Sequence, residues 1–112
     1  MSANNVEALE VQIDQARAAV NLKDDLIALQ KNKAFNNIIN EGYFRNEAIR
    51  LVGAKADPAL QDEVQQKALD RSIIGIGELN MYFHKIISIG NMMERTITEA
   101  EKEMELALEE DL

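Results

Sequence analysis

The sequence has no cysteine and no tryptophan, one histidine, one proline, five glycines and only 4 % aromatic residues in 112. Without cysteine there is neither a disulfide scaffold nor a Cys-ligated zinc site. So little Gly and Pro excludes a collagen-like chain or a Pro/Gly-rich linker. A charge-free apolar run long enough to span a bilayer is also missing. The most apolar stretch, Ser72 to Met93, holds Glu78, His84 and Lys85, three glycines, Asn80 and Asn91, whereas a spanning helix needs about 20 nearly uncharged residues. The first residues, Met1 to Asn5, are polar and lack the basic and apolar segments of a signal peptide. No membrane partner is expected, and the cytoplasm is the expected compartment.

What is present points to a folded helical chain. Hydrophobic residues make up 46 %, too many for wholesale disorder, and charged residues 29 %. The net charge is −8 and it is unevenly placed. Met1 to Met93 carries 12 acidic and 10 basic residues, whereas Glu94 to Leu112 carries 8 acidic and 2 basic. The last segment therefore holds most of the imbalance. Its field repels nucleic acid and anionic membranes. The simplest reading is a solvated helix end, and the sharper ones are a contact for a basic partner or a mimic of nucleic-acid charge.

Periodicity divides the chain into four helical segments within a single domain, residues 1–112. Asn4 and Asn5 are candidate caps for a first helix over about 5–31. Val6, Leu9, Ile13, Ala16 and Val20 follow at alternating spacings of three and four, a coiled-coil seam that Ile27 rejoins after Lys23 interrupts it. Leu22, Leu26 and Leu29 form a second stripe. Asn32 is placed to cap a short helix with Phe35, Ile38 and Ile39 on one face, diluted by Asn36, Asn37 and Asn40 and ended or bent at Gly42. Tyr43 and Phe44 then form a corner. Ala48, Leu51 and Val52 give a second short helix ending near Gly53, so the two short helices occupy 33–55.

Asp57-Pro58 marks the start of a second long helix, because Asp caps well and Pro suits the first helical position. Its apolar face reads Leu69, Ile73, Ile76, Leu79 or Asn80, Phe83, Ile86, Gly90, Met93, Ile97, Ala100, Met104 and Ala107, over about 58–108. At 1.5 Å per residue such a helix is on the order of 75 Å long, about twice the diameter of a compact domain of this size. It must therefore break or project. Gly75, Gly77 and Gly90 are the weak points for a kink, or else places where another helix comes close, and close approach is the preferred reading. The expected fold is all-α: two long antiparallel helices joined by two short ones, with coiled-coil-like packing. Ile on several faces near the glycines argues for a homo-oligomer whose interface is Ile73, Ile76, Phe83, Ile86, Gly90 and Met93. The acidic end, with a thin stripe of Ile97, Ala100, Met104 and Ala107, is expected to be dispensable for folding.

No residue pattern points to catalysis, to a cofactor or to a metal. His84 stands alone on a helix, and Glu78, six residues earlier, faces elsewhere. Ser88 shares a helical face with His84, but neither an orienting carboxylate nor an oxyanion loop accompanies them. Gly75-Ile76-Gly77 lacks both the preceding strand and the further glycine of a nucleotide fingerprint. Adjacent carboxylates such as Asp24-Asp25 and Glu109-Glu110-Asp111 point apart on a helix. Arg45, Arg50 and Lys55, near Tyr43 and Phe44, make a modest basic patch with aromatics. Those aromatics are more simply a plug over the core, and the net charge works against nucleic-acid binding.

Two stretches carry a resemblance. Glu41-Gly42-Tyr43-Phe44-Arg45-Asn46-Glu47-Ala48-Ile49-Arg50-Leu51-Val52 is followed by Ala56-Asp57-Pro58-Ala59-Leu60-Gln61. Later come Met81-Tyr82-Phe83 and Ile89-Gly90-Asn91-Met92-Met93. Over residues 22 to 112 the chain resembles a family of small acidic proteins of tailed bacteriophages, often encoded among virion-structure genes. It departs from that pattern at Gly53 and Lys55, where the family keeps bulkier apolar residues. The resemblance implies a non-enzymatic protein that acts by protein–protein contact in the virion or the host cytoplasm, and it brings no catalytic residues. The expected partners are a second copy and another phage or host protein, with Tyr43, Phe44, Arg45, Glu101, Glu105 and Glu109 as the expected contacts. A phage inhibitor of a host protein is the competing expectation, and a single-strand-binding accessory protein ranks below it.

Overall fold

In a computed structural model, the backbone is described for residues 2–110 and the side chains for residues 5–110. The expected cap Asn4 (its side chain) and Asp111 lie outside the described residues. Every regular element among those described is helical: α1 (Ser2–Gln30), α2 (Lys33–Phe35), a π-helical stretch (Asn36–Glu47), α3 (Ala48–Ala56), a short 3-10 turn (Pro58–Leu60) and α4 (Glu63–Glu110). The chain divides into two compact units. The first joins the chain up to Leu26 with the chain from Lys85 onward, and the second is Ile27–His84.

The first unit is an antiparallel pair built on the seam read from the sequence. Lys23 lies opposite Gly90. Near the other end, Asn5, Ala8, Leu9 and Gln12 share a groove with Glu103, Leu106, Ala107 and Glu110. This register sets Ile13 opposite Ala100 and Ala16 opposite Ile97, a large residue against a small one in each layer. Ile13, Ala16 and Ala100 are buried accordingly. Leu26 and Ile86 are buried one layer beyond Lys23.

Lys23 is the one buried charged residue among those described. A charge in an apolar seam is costly unless it is paired. Here the stem crosses the bare backbone of Gly90, and the ammonium reaches the rim. There Nζ donates to Asn91 Oδ1 at 3.1 Å and forms an ion pair with Glu94, whose carboxylate is half-exposed. A Cβ on Gly90 would stand 2.5, 2.8 and 2.9 Å from Lys23 Cβ, Cδ and Cγ. Close approach is therefore the right reading at Gly90, although the approaching helix is the chain's own α1.

In the second unit the helical run from α2 through α3 lies antiparallel to the first part of α4. Phe35 and Phe44 both meet Phe83, at ring-centroid distances of 6.0 and 5.8 Å. Further along, Lys55 forms an ion pair with Asp70. Phe35 and Phe44 are nine residues apart. At 3.6 residues per turn they would point to opposite faces. A π-helix, with its i→i+5 bonds and roughly 4.4 residues per turn, returns both to one face after two turns. Leu51 and Ile76 are the buried apolar residues among those described in this unit.

Several expectations are corrected. Gly42 does not end a helix: it lies inside the π-helical stretch, so the two short helices are one uninterrupted run that continues past Gly53 to Ala56. Pro58 opens only the 3-10 turn. α4 starts at Glu63, where Asp62 Oδ1 accepts from Gln65 N at 2.8 Å. Helix α1 begins before Asn4 and Asn5, so neither caps it. Leu26, not Ile27, continues the α1 seam, while Leu22 and Leu29 of the second stripe are exposed. Neither Gly75 nor Gly77 interrupts α4, and a Cβ at Gly77 would meet nothing within 4 Å. The thin stripe of the acidic end is covered as its spacing suggests, Ala100 being buried and Met104 and Ala107 half-buried.

The residues expected at an oligomer interface are covered within the chain to different degrees. Ile76, Ile86 and Gly90 are buried within the single chain, and Ile73, Phe83 and Met93 are half-buried there. The covered part of their apolar surface serves the folding of the protomer.

The two glycine environments make a paired test. Gly77→Ala should raise stability by about 0.5–1 kcal/mol, the usual gain for filling an open helical glycine. Gly90→Ala should lower it by about 1–3 kcal/mol, because the new methyl group meets the fixed Cβ of Lys23 as well as its flexible stem. Urea unfolding monitored by circular dichroism measures both.

Candidate interaction surfaces

The residues proposed for partner contact fall on two surfaces, one in each unit. In the second unit, Tyr43 and Phe44 are half-buried members of an aromatic cluster. Their rings lie 6.0 Å apart, and the rings of Phe44 and Phe83 meet in a T-shaped arrangement. The Tyr43 hydroxyl lies 3.6 Å from where a Gly75 Cβ would be. They thus act chiefly as the plug that the sequence suggested. Beside them, Ile38, Ile39, Gly42, Tyr43 and Glu47 line an open groove of about 350 Å³. Ile38 is well exposed at its edge.

Local hydrogen bonds position this surface. Asn32 caps the run, its Oδ1 accepting from Phe35 N at 2.9 Å. Asn36 Nδ2 donates to the Gln30 carbonyl at 2.5 Å, satisfying the end of α1, and Asn40 in turn donates to the Asn36 side chain. The asparagines that dilute helix propensity thus fasten the turn into the π-helical stretch. At the far end, Gln61 Nε2 donates to the carbonyls of Lys55 and Asp57, and Gln66 Nε2 to that of Leu60.

The three bases of the suggested patch are each paired. Arg45 meets Glu41 at 3.3 Å, Arg50 donates through Nε to Glu47 at 3.0 Å, and Lys55 pairs with Asp70. The hydrogen bond from Arg50 holds the Glu47 carboxyl below the usual carboxylate range, slight desolvation opposing it and the charge attraction adding to it. Arg50 is raised for the same reason. A carboxylate with a depressed folded pKa contributes stability above its unfolded pKa, and that contribution is lost as pH falls through the folded value.

In the first unit, Glu101, Glu105 and Glu109 are all exposed and recur every four residues along α4. Opposite this row lies the open groove between Ala8, Leu9 and Gln12 of α1 and Glu103, Leu106 and Glu110 of α4. Sequence reading missed this groove and the Lys23–Asn91–Glu94 contact. A signal for each was present: a row of α1 without charge, and a lysine at a seam position. His84 and Ser88 are exposed on α4. No group of three His, Asp or Glu among the described residues is placed to hold a metal ion. No described helix is long and apolar enough to cross a membrane.

Comparison with protein-family models, with curated proteins and with solved structures finds no match.

The Glu47–Arg50 pair gives a direct check on this surface. In a carbon-13 NMR titration Glu47 should titrate below the ordinary glutamate value, and Arg50→Gln should bring it back toward that value.

Proposed function

We propose that the chain is a non-enzymatic bacteriophage protein that works through protein–protein contact, as a structural or assembly component of the virion. One observation carries the contact reading. Fourteen large apolar side chains among the described residues are exposed, against seven apolar residues that are buried. Scattered exposed apolar residues are ordinary, but an excess over the buried core fits a chain completed by other molecules. The likeness of Glu41 to Val52 and Ala56 to Gln61 to tailed-phage proteins supplies the virion setting. The acidic row of Glu101, Glu105 and Glu109 favours a second reading, an inhibitor that sets this face against a basic surface of a host protein. Nucleic acid ranks lower, since Arg45, Arg50 and Lys55 are already neutralised by carboxylates.

The same reading includes a homo-oligomer. Because the seam residues are used within the chain, self-association falls to Ile74, Met81 and Tyr82, exposed and spaced seven and eight residues apart on α4. Sedimentation equilibrium at micromolar concentration should give a mass above the monomer. Ile74→Glu with Met81→Glu should restore the monomer while leaving the helical signal intact, since both sites are exposed. Mass spectrometry of purified particles of the phage that encodes the chain should find it in the virion. Its absence there, with recovery on a host protein, would select the inhibitor.

A further inference from the structure

We propose that the groove of the first unit is the docking site for a basic amphipathic helix of a partner protein; this rests on the protein-contact reading above and names its chemistry. The two faces of the antiparallel pair differ in kind. On one face α1 presents Glu7, Glu10, Asp14, Arg17 and Asp24, and α4 presents Glu94, Glu101 and Glu105, a solvated and charged surface. On the other, the α1 row from Asn5 through Ala8, Gln12, Gln15 and Ala19 to Leu22 has no charge over about five turns. A helix row facing water alone has no need to be free of charge for that length.

The floor and the rim of this groove ask for different groups. Leu9 and Ala8 meet Leu106 across an open volume of about 460 Å³. Leu106 is 60 % exposed, and Leu22 and Met92, further along the same face, are each 46 % exposed. The α4 side of the groove carries Glu103 and Glu110, both exposed, and no base. An occupant that covers the leucines and meets these carboxylates needs an apolar stripe flanked by Lys or Arg. A second copy does not meet that need, because its own face brings the same glutamates and no base. The row is long enough for a partner helix of about 18 residues.

The test uses the full-length protein and a fluorescein-labelled 18-residue peptide with leucine at helical spacing and lysine elsewhere, followed by fluorescence anisotropy at two salt concentrations. Binding should be saturable and weaken with salt. Two double variants remove equal charge: Glu103→Gln with Glu110→Gln on the groove side, and Glu101→Gln with Glu105→Gln on the other face. The first should weaken binding roughly five- to tenfold, as two rim ion pairs would, and the second less than twofold. Leu22→Gln with Leu106→Gln should weaken it further at unchanged charge. Circular dichroism of all three should match the parent, because every site is exposed. Equal loss in both glutamate variants would overturn the groove while leaving recognition of basic surfaces by the acidic end in place. No binding of the peptide at all would overturn both. Dissociation of a self-associated parent by the leucine variant would identify the occupant as a second copy and overturn the proposal.

Discussion

The first unit depends on one contact, the stem of Lys23 lying across the bare backbone of Gly90. Apolar layers alone define an antiparallel pair loosely, because Ile, Val, Met and Ala seams tolerate slippage by a heptad. A lysine in the seam removes that tolerance. Moved one heptad toward the C-terminus of α4, Lys23 would face Ile97, which leaves no room for its stem. Moved one heptad the other way, it would face Phe83, where His84 and Ile87 stand in the places of Asn91 and Glu94 and no carboxylate is at hand. Only at Gly90 do space for the stem, the Asn91 side-chain Oδ1 and the Glu94 carboxylate coincide. A buried polar group that costs stability and fixes register is a known device of coiled coils. This contact is its two-residue version, with the glycine supplying the room.

The second unit uses a different device. Its run from Lys33 to Ala56 has to bring Phe35 and Phe44 to the same ring, Phe83, and an α-helix cannot do so. The wider turn of the π-helical stretch solves this problem of angle, at the expense of poorer backbone packing that aromatic contacts and asparagine side-chain hydrogen bonds offset. Local geometry here follows from where three phenylalanines must meet.

Much of this was legible in the sequence, and the limits have physical causes. The seam from Val6 to Val20 and the face from Leu69 to Ala107 were readable because period alone reports which side of a long helix is covered. The close approach at Gly90 was readable for the same reason, since a glycine falls where the seam requires a core residue. The π-helical stretch was not, because Gly42 and three asparagines look like a break under a 3.6-residue period. Nor was the start of α4: Asp57-Pro58 and Asp62 both make sound caps, and only the tertiary turn held by Gln61 and Gln66 decides between them. The candidate contacts divide similarly. Exposure of Arg45, Glu101, Glu105 and Glu109 followed from their charge. The groove beside Leu106 needs the relative placement of two helices, which no single-helix pattern contains.

The most direct measurement of the central claim is a nuclear Overhauser spectrum of the protein in solution, read at the two α-protons of Gly90. The account predicts strong cross-peaks from those protons to the β-, γ- and δ-methylenes of Lys23, in a chain whose native register has no alternative layer to offer that stem. Cross-peaks from the Lys23 methylenes to Ile97 or Phe83 instead, or a Lys23 side chain that contacts only water, would contradict it.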